Sequence, residues 1–291
     1  MTTFDTLFRT HLDDYGPLFE QFFKLRLEHG ILEVRMHTDD GPLRWGGGPH
    51  RMLIPLFQAI DHDEDVEVVI LTGTGDSFNA ALDTEEYVGR GMLERWDDES
   101  TGYDLTYRDQ TREPLALLGL HVPVISAVNG PVATHAELAL LNDIVLCSDT
   151  TVFSDGHWNL MGIVPGDGVH TVFRELLGHN RGRYFLYTGQ QIGAEEALRL
   201  GLVGEVLPPD QVLERAWTLA ESVFMTKSRV QRRLARATLV QPWRELFVKE
   251  IAFGMAHECL GAAIGPALPL TGALDEVFGP SARATDPVRR P

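Results

Sequence analysis

Cysteine and basic residues are scarce in this chain of 291 residues. Its two cysteines, Cys147 and Cys259, are far apart and match no zinc or redox spacing, which fits a reduced cytoplasmic environment. The 25 lysines and arginines face 42 aspartates and glutamates, so the formal net charge is −17. Because so acidic a surface repels phosphate backbones, we expect no nucleic-acid partner.

Long apolar runs, targeting segments and cofactor motifs are also missing. No stretch reaches the roughly 18 apolar residues of a membrane span, and the opening MTTFDTLFRTHLDDYG has no signal-peptide core, so we expect no membrane association. The GTG and GGG runs lack the P-loop lysine and the dinucleotide spacing. Since no HExxH motif or cysteine cluster indicates zinc, we expect no metal and no cofactor.

The apolar pattern predicts an α/β fold. The runs VVILTG, PVISAVNGP and DIVLCSD are typical of strands buried on both faces, with short helices expected at residues 49–60 and 135–141. Two further strand-like runs, FFKLRLEHG and ILEVRMHT, meet at a His29–Gly30 turn. Strands that alternate with helices favour right-handed crossover units.

The two ends and one internal segment differ from this core. The first 20 or so residues resemble a mobile or loosely helical arm, and residues 89–113 resemble a polar surface insertion. Helices are predicted at 169–177, 181–188, 194–200, 209–223, 227–239 and 243–260. We therefore expect a core over 1–205, a helical region over 206–278 and a disordered tail over 279–291.

Several strings occur in the order found in one superfamily. TGTGDSFNAALD, PVISAVNGP, HAELAL, DIVLCSD, GIVPGDG and ALRLGLVGEV resemble the crotonase (enoyl-CoA hydratase/isomerase) superfamily over roughly residues 30 to 210. The resemblance implies a spiral of ββα units and a C-terminal helical region that forms trimers or hexamers. It also implies an oxyanion hole of two backbone N–H groups, one near Ala80 or Ala81 and one near Thr134.

The residues that carry hydratase chemistry match less well. That family pairs two glutamates; Glu137 occupies the position of the first, and Trp158 the position of the second. The strings LRWGGGPH, NGPVATHAEL, GIVPGDGVH, GRYFLYTGQ and GMAHECL instead resemble the branch of 6-oxocamphor hydrolase and related β-diketone hydrolases. These enzymes cleave a carbon–carbon bond of a 1,3-diketone with water and need neither CoA nor metal.

The second resemblance implies a set of site residues: Trp45, His50, His135, Asp167 and Glu258. A histidine that partners the aspartate falls, without a gap, on Trp158. The neighbouring His157 could serve only if the backbone shifts there by one residue.

Each candidate also has a structural interpretation. His135 could donate to a substrate carbonyl or oxyanion, or simply bond to backbone at a helix start. Asp167, in PGDG, could activate water or cap the following helix. The indole N–H of Trp45 could donate to a ketone, or its ring could belong to the core.

The remaining candidates likewise have both a functional and a structural interpretation. His50 and Glu258 would complete the pocket and assist protonation, or be a capping histidine and a solvated glutamate. Glu137, in an apolar helix, needs either a buried partner or a place in the site. Trp158 can shape a pocket but cannot transfer protons near neutral pH.

The sequence therefore predicts a hydrolase that cleaves a cyclic or bulky β-diketone by a retro-Claisen reaction. One alternative is a CoA-thioester hydratase or isomerase that uses Glu137. Another is a relative with lost or redirected chemistry.

Overall fold

The computed structural model describes residues 9–83, Glu86 and 99–264, with the side chains of 100 and 101 excepted. The strands are β1 (Phe23–Glu28), β2 (Ile31–Met36), β3 (Arg44–Trp45), β4 (Val68–Thr72), β5 (Ala81–Leu82), β6 (Val124–Val128), β7 (Ile144–Ser148), β8 (Val152–Phe153), β9 (Ile192–Gly193) and β10 (Glu205–Leu207).

The α-helices are α1 (Leu12–Phe19), α2 (Gly47–Asp61), α3 (Gln110–Gly119), α4 (Glu137–Leu140), α5 (Val169–Leu177), α6 (His179–Thr188), α7 (Ala194–Leu200), α8 (Val212–Leu219) and α9 (Arg229–Ile264). π-Helical segments span Glu99–Asp109, His157–Met161 and Ala220–Phe224.

A six-stranded sheet in the order β1-β2-β4-β6-β7-β10 forms the centre of the fold. β1 and β2 are antiparallel and are joined at His29 and Gly30, whose φ angles of 51° and 81° suit a tight hairpin. All other neighbours are parallel. Every residue of β4 and β6 is buried, as their continuous apolar sequences predict.

Helices cover both faces of this sheet. On one face, β2, β4 and β6 pack against Val212, Ala216 and Leu219 of α8. On the other face, the larger core includes the buried sides of α2, α3, α5 and α9. The expected α/β class is therefore confirmed, and the functional side chains discussed below lie on the α2–α9 side.

Three predictions about elements need correction. The N-terminal arm is helical over Leu12–Phe19, as one of the two expected forms, but Tyr15 and Phe19 bury their rings in the core, so this part is not a loose arm. The supposed surface insertion is partly core, since α3 is in contact with both α2 and α9 and buries Glu113. Residues 89–98 of that insertion and the predicted tail at 279–291 lie outside the described residues.

The third correction concerns the two helices predicted at 227–239 and 243–260. They form one helix of 36 residues, α9, with Pro242 inside it. A proline in a helix interior costs about 3 kcal/mol. The helix continues because both halves are anchored to the same core, by Arg236 and Val240 on one side of Pro242 and by Phe247 on the other. Within the described residues, no helix is long and apolar enough to span a bilayer.

Arg236 fixes α9 to the core and yields a prediction. Its side chain is only 1% exposed, pairs with Asp143, and donates to the carbonyl oxygens of Leu120 at 2.7 Å and Leu117 at 3.0 Å. Removing one partner of a buried ion pair typically costs about 3–5 kcal/mol. Arg236→Leu should therefore lower the free energy of unfolding by about that amount in urea titrations. Arg244→Leu, at an exposed position of the same helix, is the control. Equal effects of Arg236→Leu and Arg244→Leu on the free energy of unfolding would contradict this account.

Candidate active site

A cluster of ionisable and aromatic side chains lies inside the molecule, contributed by six parts of the chain. It contains Trp45, His50, Glu113, His135, Glu137, Asp155, His157, Asp167 and Glu258, with side chains at most 7% exposed. Because buried ionisable groups need partners, the contacts among these side chains define the site.

His135 lies between β6 and α4 with a left-handed backbone φ of 50°, an unusual angle for a residue that is not glycine. Its Nδ1 is 2.7 Å from Oε1 of Glu137 and 3.4 Å from Oδ2 of Asp167. The pairing with Glu137 leaves Nε2 of His135 as the nitrogen that could meet a substrate oxygen. Backbone strain of this kind is concentrated at functional sites.

His157, rather than Trp158, faces the aspartate. Nε2 of His157 lies 3.4 Å from Oδ2 of Asp167, and Nδ1 lies 2.9 Å from Oδ2 of Asp155. The indole of Trp158 is 45% exposed and packs edge-on against Tyr187 at an outer cavity of about 440 Å³. The two candidates for this position are therefore distinguished.

A π-helical turn explains this placement. The N–H of Met161 donates across five residues to the carbonyl oxygen of Gly156 at 3.1 Å, so the turn contains one residue more than an α-helical turn. One added residue in this turn is what the shift to His157 requires.

The two carboxylate oxygens of Asp167 have different surroundings. Its Oδ1 accepts from the N–H of Val169 at 3.3 Å, at the start of α5. Its Oδ2 faces His135 and His157 at 3.4 Å and has no hydrogen-bond partner of good geometry. One carboxylate oxygen is thus structural, and the other is available between two imidazoles.

Glu258 reaches the site because α9 crosses a loop at two glycines. Its Oε2 accepts from the N–H of Gly166 at 2.9 Å. A Cβ on Gly166 would overlap the carbonyl oxygen of Gly254, and a Cβ on Gly254 would overlap that of Gly166. Only two glycines allow this approach, which carries the Glu258 side chain into the cluster rather than into solvent.

Trp45 and His50 form the wall beside His135. The indole N–H donates to Nε2 of His50 at 2.8 Å, and Nδ1 of His50 lies 2.9 Å from Oε2 of Glu113. The ring centroids of Trp45 and His135 are 4.3 Å apart with a tilt of 31°. Since its N–H is already paired, Trp45 presents its ring rather than the expected donor to a substrate.

The turns expected to form an oxyanion hole lie side by side. Asn79 forms a β-bridge with Val132, and Ala81 pairs with Arg44 in the short β3–β5 ribbon that ends at Trp45. The N–H of Thr134 is 3.4 Å from the carbonyl oxygen of Asn79, and an oxyanion role for an N–H near Thr134 stays a prediction. An oxyanion role for Ala80 or Ala81 stays a prediction.

Burial and neighbouring charges shift the pKa values of most ionisable groups in the cluster. Burial opposes the charge on both catalytic-site imidazoles, but Glu137 and Asp167 raise the pKa of His135 to about 9. Asp167 and Asp155 likewise raise the pKa of His157 well above its usual range. Burial raises the pKa of Asp167, yet the two imidazoles outweigh it and the pKa is lowered overall.

Three glutamates of the cluster have raised pKa values. Burial and the charge of Asp167 raise the pKa of Glu258 to about 8. Burial also raises the pKa of Glu113 to about 8 and that of Glu137 to about 7, although His135 opposes both shifts. The site therefore holds an ionised Asp167 beside a neutral Glu258, an arrangement typical of a base and an acid.

Two members of the cluster were missed by reasoning from sequence. The charge-rich segment of Glu113 predicts a surface position, and no motif in the sequence marks Asp155. The only signal for Asp155 is its position two residues before His157 in SDGHW.

Among the described residues, His157, Asp167 and Glu258 could together hold a cation, because their ligand atoms lie within 4.8 Å of one another. The expectation of a metal-free site stays a prediction.

Comparison with known proteins places this site in a family. Residues 51–253 match the enoyl-CoA hydratase/isomerase family, and the chain belongs to it. A β-diketone hydrolase from the cyanobacterium Anabaena sp. PCC 7120, solved with (S)-3-oxocyclohexyl acetic acid, is 40% identical. That alignment covers 84% of this chain and 94% of the other, with a TM-score of 0.76.

Curated relatives include CoA-dependent enzymes. A probable peroxisomal enoyl-CoA hydratase 1 from Arabidopsis thaliana is 30% identical over 70% of this chain and 74% of its own length. A hydroxycinnamoyl-CoA hydratase-lyase from Pseudomonas fluorescens is 27% identical over 69% of this chain and 72% of its own. The predicted superfamily is thus confirmed, and self-association and cytoplasmic location stay predictions.

The glycine crossing predicts the effect of a single methyl group. Gly254→Ala should push α9 away from Gly166, withdraw Glu258 from the cluster and lower the free energy of unfolding by about 1–3 kcal/mol, the usual cost of overpacking. Gly261→Ala in the same helix is the control, because its Cβ would meet only a Val164 methyl, at 3.1 Å. Equal stability of the two variants in urea titrations would refute the role given to the crossing.

The pairing of His135 with Glu137 predicts a measurable titration. His135 should titrate near pH 9 in NMR spectra, and Glu137→Gln should lower this pKa because it removes the nearest negative charge. Since the folded pKa lies above the ordinary 6.5, the stabilisation from protonated His135 is complete below pH 6.5 and is lost as the pH rises through 9. Glu214→Gln, at an exposed position, is the control; an unchanged His135 pKa in Glu137→Gln would contradict the pairing.

Proposed function

We propose that this protein hydrolyses a carbon–carbon bond of a β-diketone. The observation that carries the proposal is the position of Oδ2 of Asp167, which lies 3.4 Å from the imidazoles of both His135 and His157. This arrangement supplies an anion that can act on water and cations that can stabilise an oxyanion. The 40% identity with a β-diketone hydrolase supports the same reaction.

The first step is polarisation of one carbonyl. Nδ1 of His135 is held by Glu137, and the raised pKa keeps the ring protonated at neutral pH. Its Nε2–H would donate to the carbonyl oxygen, and the bond would strengthen as that oxygen becomes negative. Such a preorganised donor in a water-poor site is among the largest contributions to catalysis.

The second step is attack by water. Asp167 would accept a proton from water as the oxygen adds to the polarised carbonyl carbon, and His157 would hold the carboxylate in position from its other side. The resulting tetrahedral oxyanion would stay bonded to His135. The bond from this carbon to the central carbon of the diketone then breaks, giving a carboxylic acid and an enolate.

The third step is protonation of the enolate carbon. Glu258 carries a proton near neutral pH, because burial and Asp167 raise its pKa to about 8. It would deliver that proton to carbon, and the proton taken by Asp167 would restore it. The reaction balances as one water added across one carbon–carbon bond, with no oxidant or reductant.

The surroundings favour an apolar alicyclic substrate. The ring of Trp45 is fully buried beside His135 and offers an aromatic wall. The ligand of the Anabaena relative is a cyclic keto acid, the kind of product that cleavage of a bicyclic 1,3-diketone would give.

A CoA-thioester hydratase is the second candidate, and one observation favours it. Oε2 of Glu137 is buried without a hydrogen-bond partner, so Glu137 could still face a substrate. Against it, the other oxygen of Glu137 bonds His135, and Trp158 lies away from the cluster.

Incubation with a panel of cyclic and bicyclic 1,3-diketones tests the proposal, following loss of enolate absorbance and formation of the keto acid by mass spectrometry. We expect turnover without CoA, and a loss of about 10²–10⁴-fold in kcat for Asp167→Asn and for His135→Ala. Asp210→Asn and His179→Ala, at exposed positions, are the matched controls.

Two outcomes would overturn the proposal. One is no turnover of any diketone by a folded protein that hydrates an enoyl-CoA. The other is turnover that survives both Asp167→Asn and His135→Ala.

A further inference from the structure

The side chains of Trp45, His50 and Glu113 form a hydrogen-bonded row behind His135. The distances are 2.8 Å from Nε1 of Trp45 to Nε2 of His50, and 2.9 Å from Nδ1 of His50 to Oε2 of Glu113. Glu113 lies in α3, 63 residues after His50 in the chain, so its bond to His50 is a tertiary contact and not part of a local turn.

The chemistry of the indole determines where the protons of this row lie. An indole N–H can only donate, so the bond from Trp45 forms only while Nε2 of His50 is unprotonated. A neutral imidazole then carries its proton on Nδ1, and the only direction left for that proton is Oε2 of Glu113. Burial and the charge of His135 lower the pKa of His50 well below its usual value, which keeps the ring neutral.

The row ends on the catalytic imidazole. The ring of Trp45 is tilted 31° to that of His135 with centroids 4.3 Å apart, and the ring of His50 meets His135 edge-on at 4.6 Å. An imidazole free to exchange its two tautomers would sometimes present an N–H to the indole N–H, and the two donors would repel. The ring of Trp45 would then lose its fixed position against His135.

We propose that Glu113 is a positioning residue, which locks His50 in the Nδ1–H tautomer and thereby holds the Trp45 ring against His135. The effect of Glu113 on turnover rests on the proposed diketone hydrolysis, whereas the tautomer lock does not. Neither Glu113 nor His50 is then a proton donor to substrate. In this proposal His50 orients the ring of Trp45, whereas the sequence suggested that it assists protonation of the substrate.

The row also explains why a carboxyl group is buried in a charged segment of sequence. Glu113 is 3% exposed, although its pKa of about 8 reflects the cost of burial. A hydrogen-bonding partner that orients a catalytic group is commonly retained despite such a cost, and its loss typically reduces activity about 10- to 100-fold.

The tautomer can be read in the protein without substrate. Long-range ¹H–¹⁵N NMR spectra distinguish the two neutral tautomers of histidine and the imidazolium, and the signal of His50 is assigned by its loss in His50→Asn. We expect the Nδ1–H tautomer for His50 at neutral pH. The Nε2–H tautomer or an imidazolium would overturn the proposal, whether or not the protein cleaves diketones.

Two substitutions at Glu113 then test the effect on turnover. Glu113→Leu removes the acceptor at similar size, and should release the tautomer and reduce kcat about 10- to 100-fold with KM changed less than about 3-fold. Glu113→Gln keeps an oxygen acceptor and should restore both the tautomer and kcat. Glu99→Leu, at an exposed position of the neighbouring π-helical segment, is the matched control.

The result that contradicts the proposal is a Glu113→Leu protein with the wild-type tautomer, whether kcat is retained or lost. If Glu113→Leu fails to fold, the His50 tautomer in the wild-type protein and in Glu113→Gln still tests the proposal. A Glu113→Gln protein that loses the Nδ1–H tautomer would also contradict the lock.

Discussion

The ionised carboxylate of Asp167 is the group on which the arrangement of this site depends. It is 2% exposed, and a buried charge is costly unless its environment compensates for it. Three contacts provide that compensation: the N–H of Val169 and the imidazoles of His135 and His157. The imidazoles need partners of their own, and Glu137 and Asp155 supply them.

The protonation states of the remaining carboxyls follow from the same constraint. Glu258 lies near Asp167 and accepts one backbone hydrogen bond, so a second negative charge there is disfavoured and its pKa rises. Glu113 pairs with a neutral imidazole and not with a cation, which leaves burial as the dominant influence on its pKa. Asp167 thus has two imidazole neighbours and a lowered pKa, whereas the pKa values of Glu113, Glu137 and Glu258 are raised.

Much of the fold was predictable because its signals are local. The continuous apolar runs of β4, β6 and β7 identify buried parallel strands, and the His29–Gly30 turn identifies the first hairpin. One boundary was not predictable. Pro242 suggests a break in α9, but burial on both sides of it outweighs the local preference.

The site was predictable only as far as residue types reveal it. His135, Asp167 and Glu258 stand in recognisable strings, and the structure brings them together. Whether His157 or Trp158 faces Asp167 depends on hydrogen bonding across five residues in a π-helical turn, which leaves no mark in composition or spacing. Glu113 was hidden for a different reason, since a charged segment indicates solvent unless its tertiary partner is known.

Membership of the enoyl-CoA hydratase/isomerase family determines the fold. The reaction depends on the neighbours of each side chain in the site. Glu137 occupies the position of a hydratase glutamate by resemblance, yet here one of its oxygens is 2.7 Å from an imidazole nitrogen. A carboxylate so paired raises the pKa of His135, which is a different effect from accepting a proton from water. Under the proposed diketone hydrolysis, the same residue on the same fold would support a different reaction because of its neighbour, which in this chain is His135.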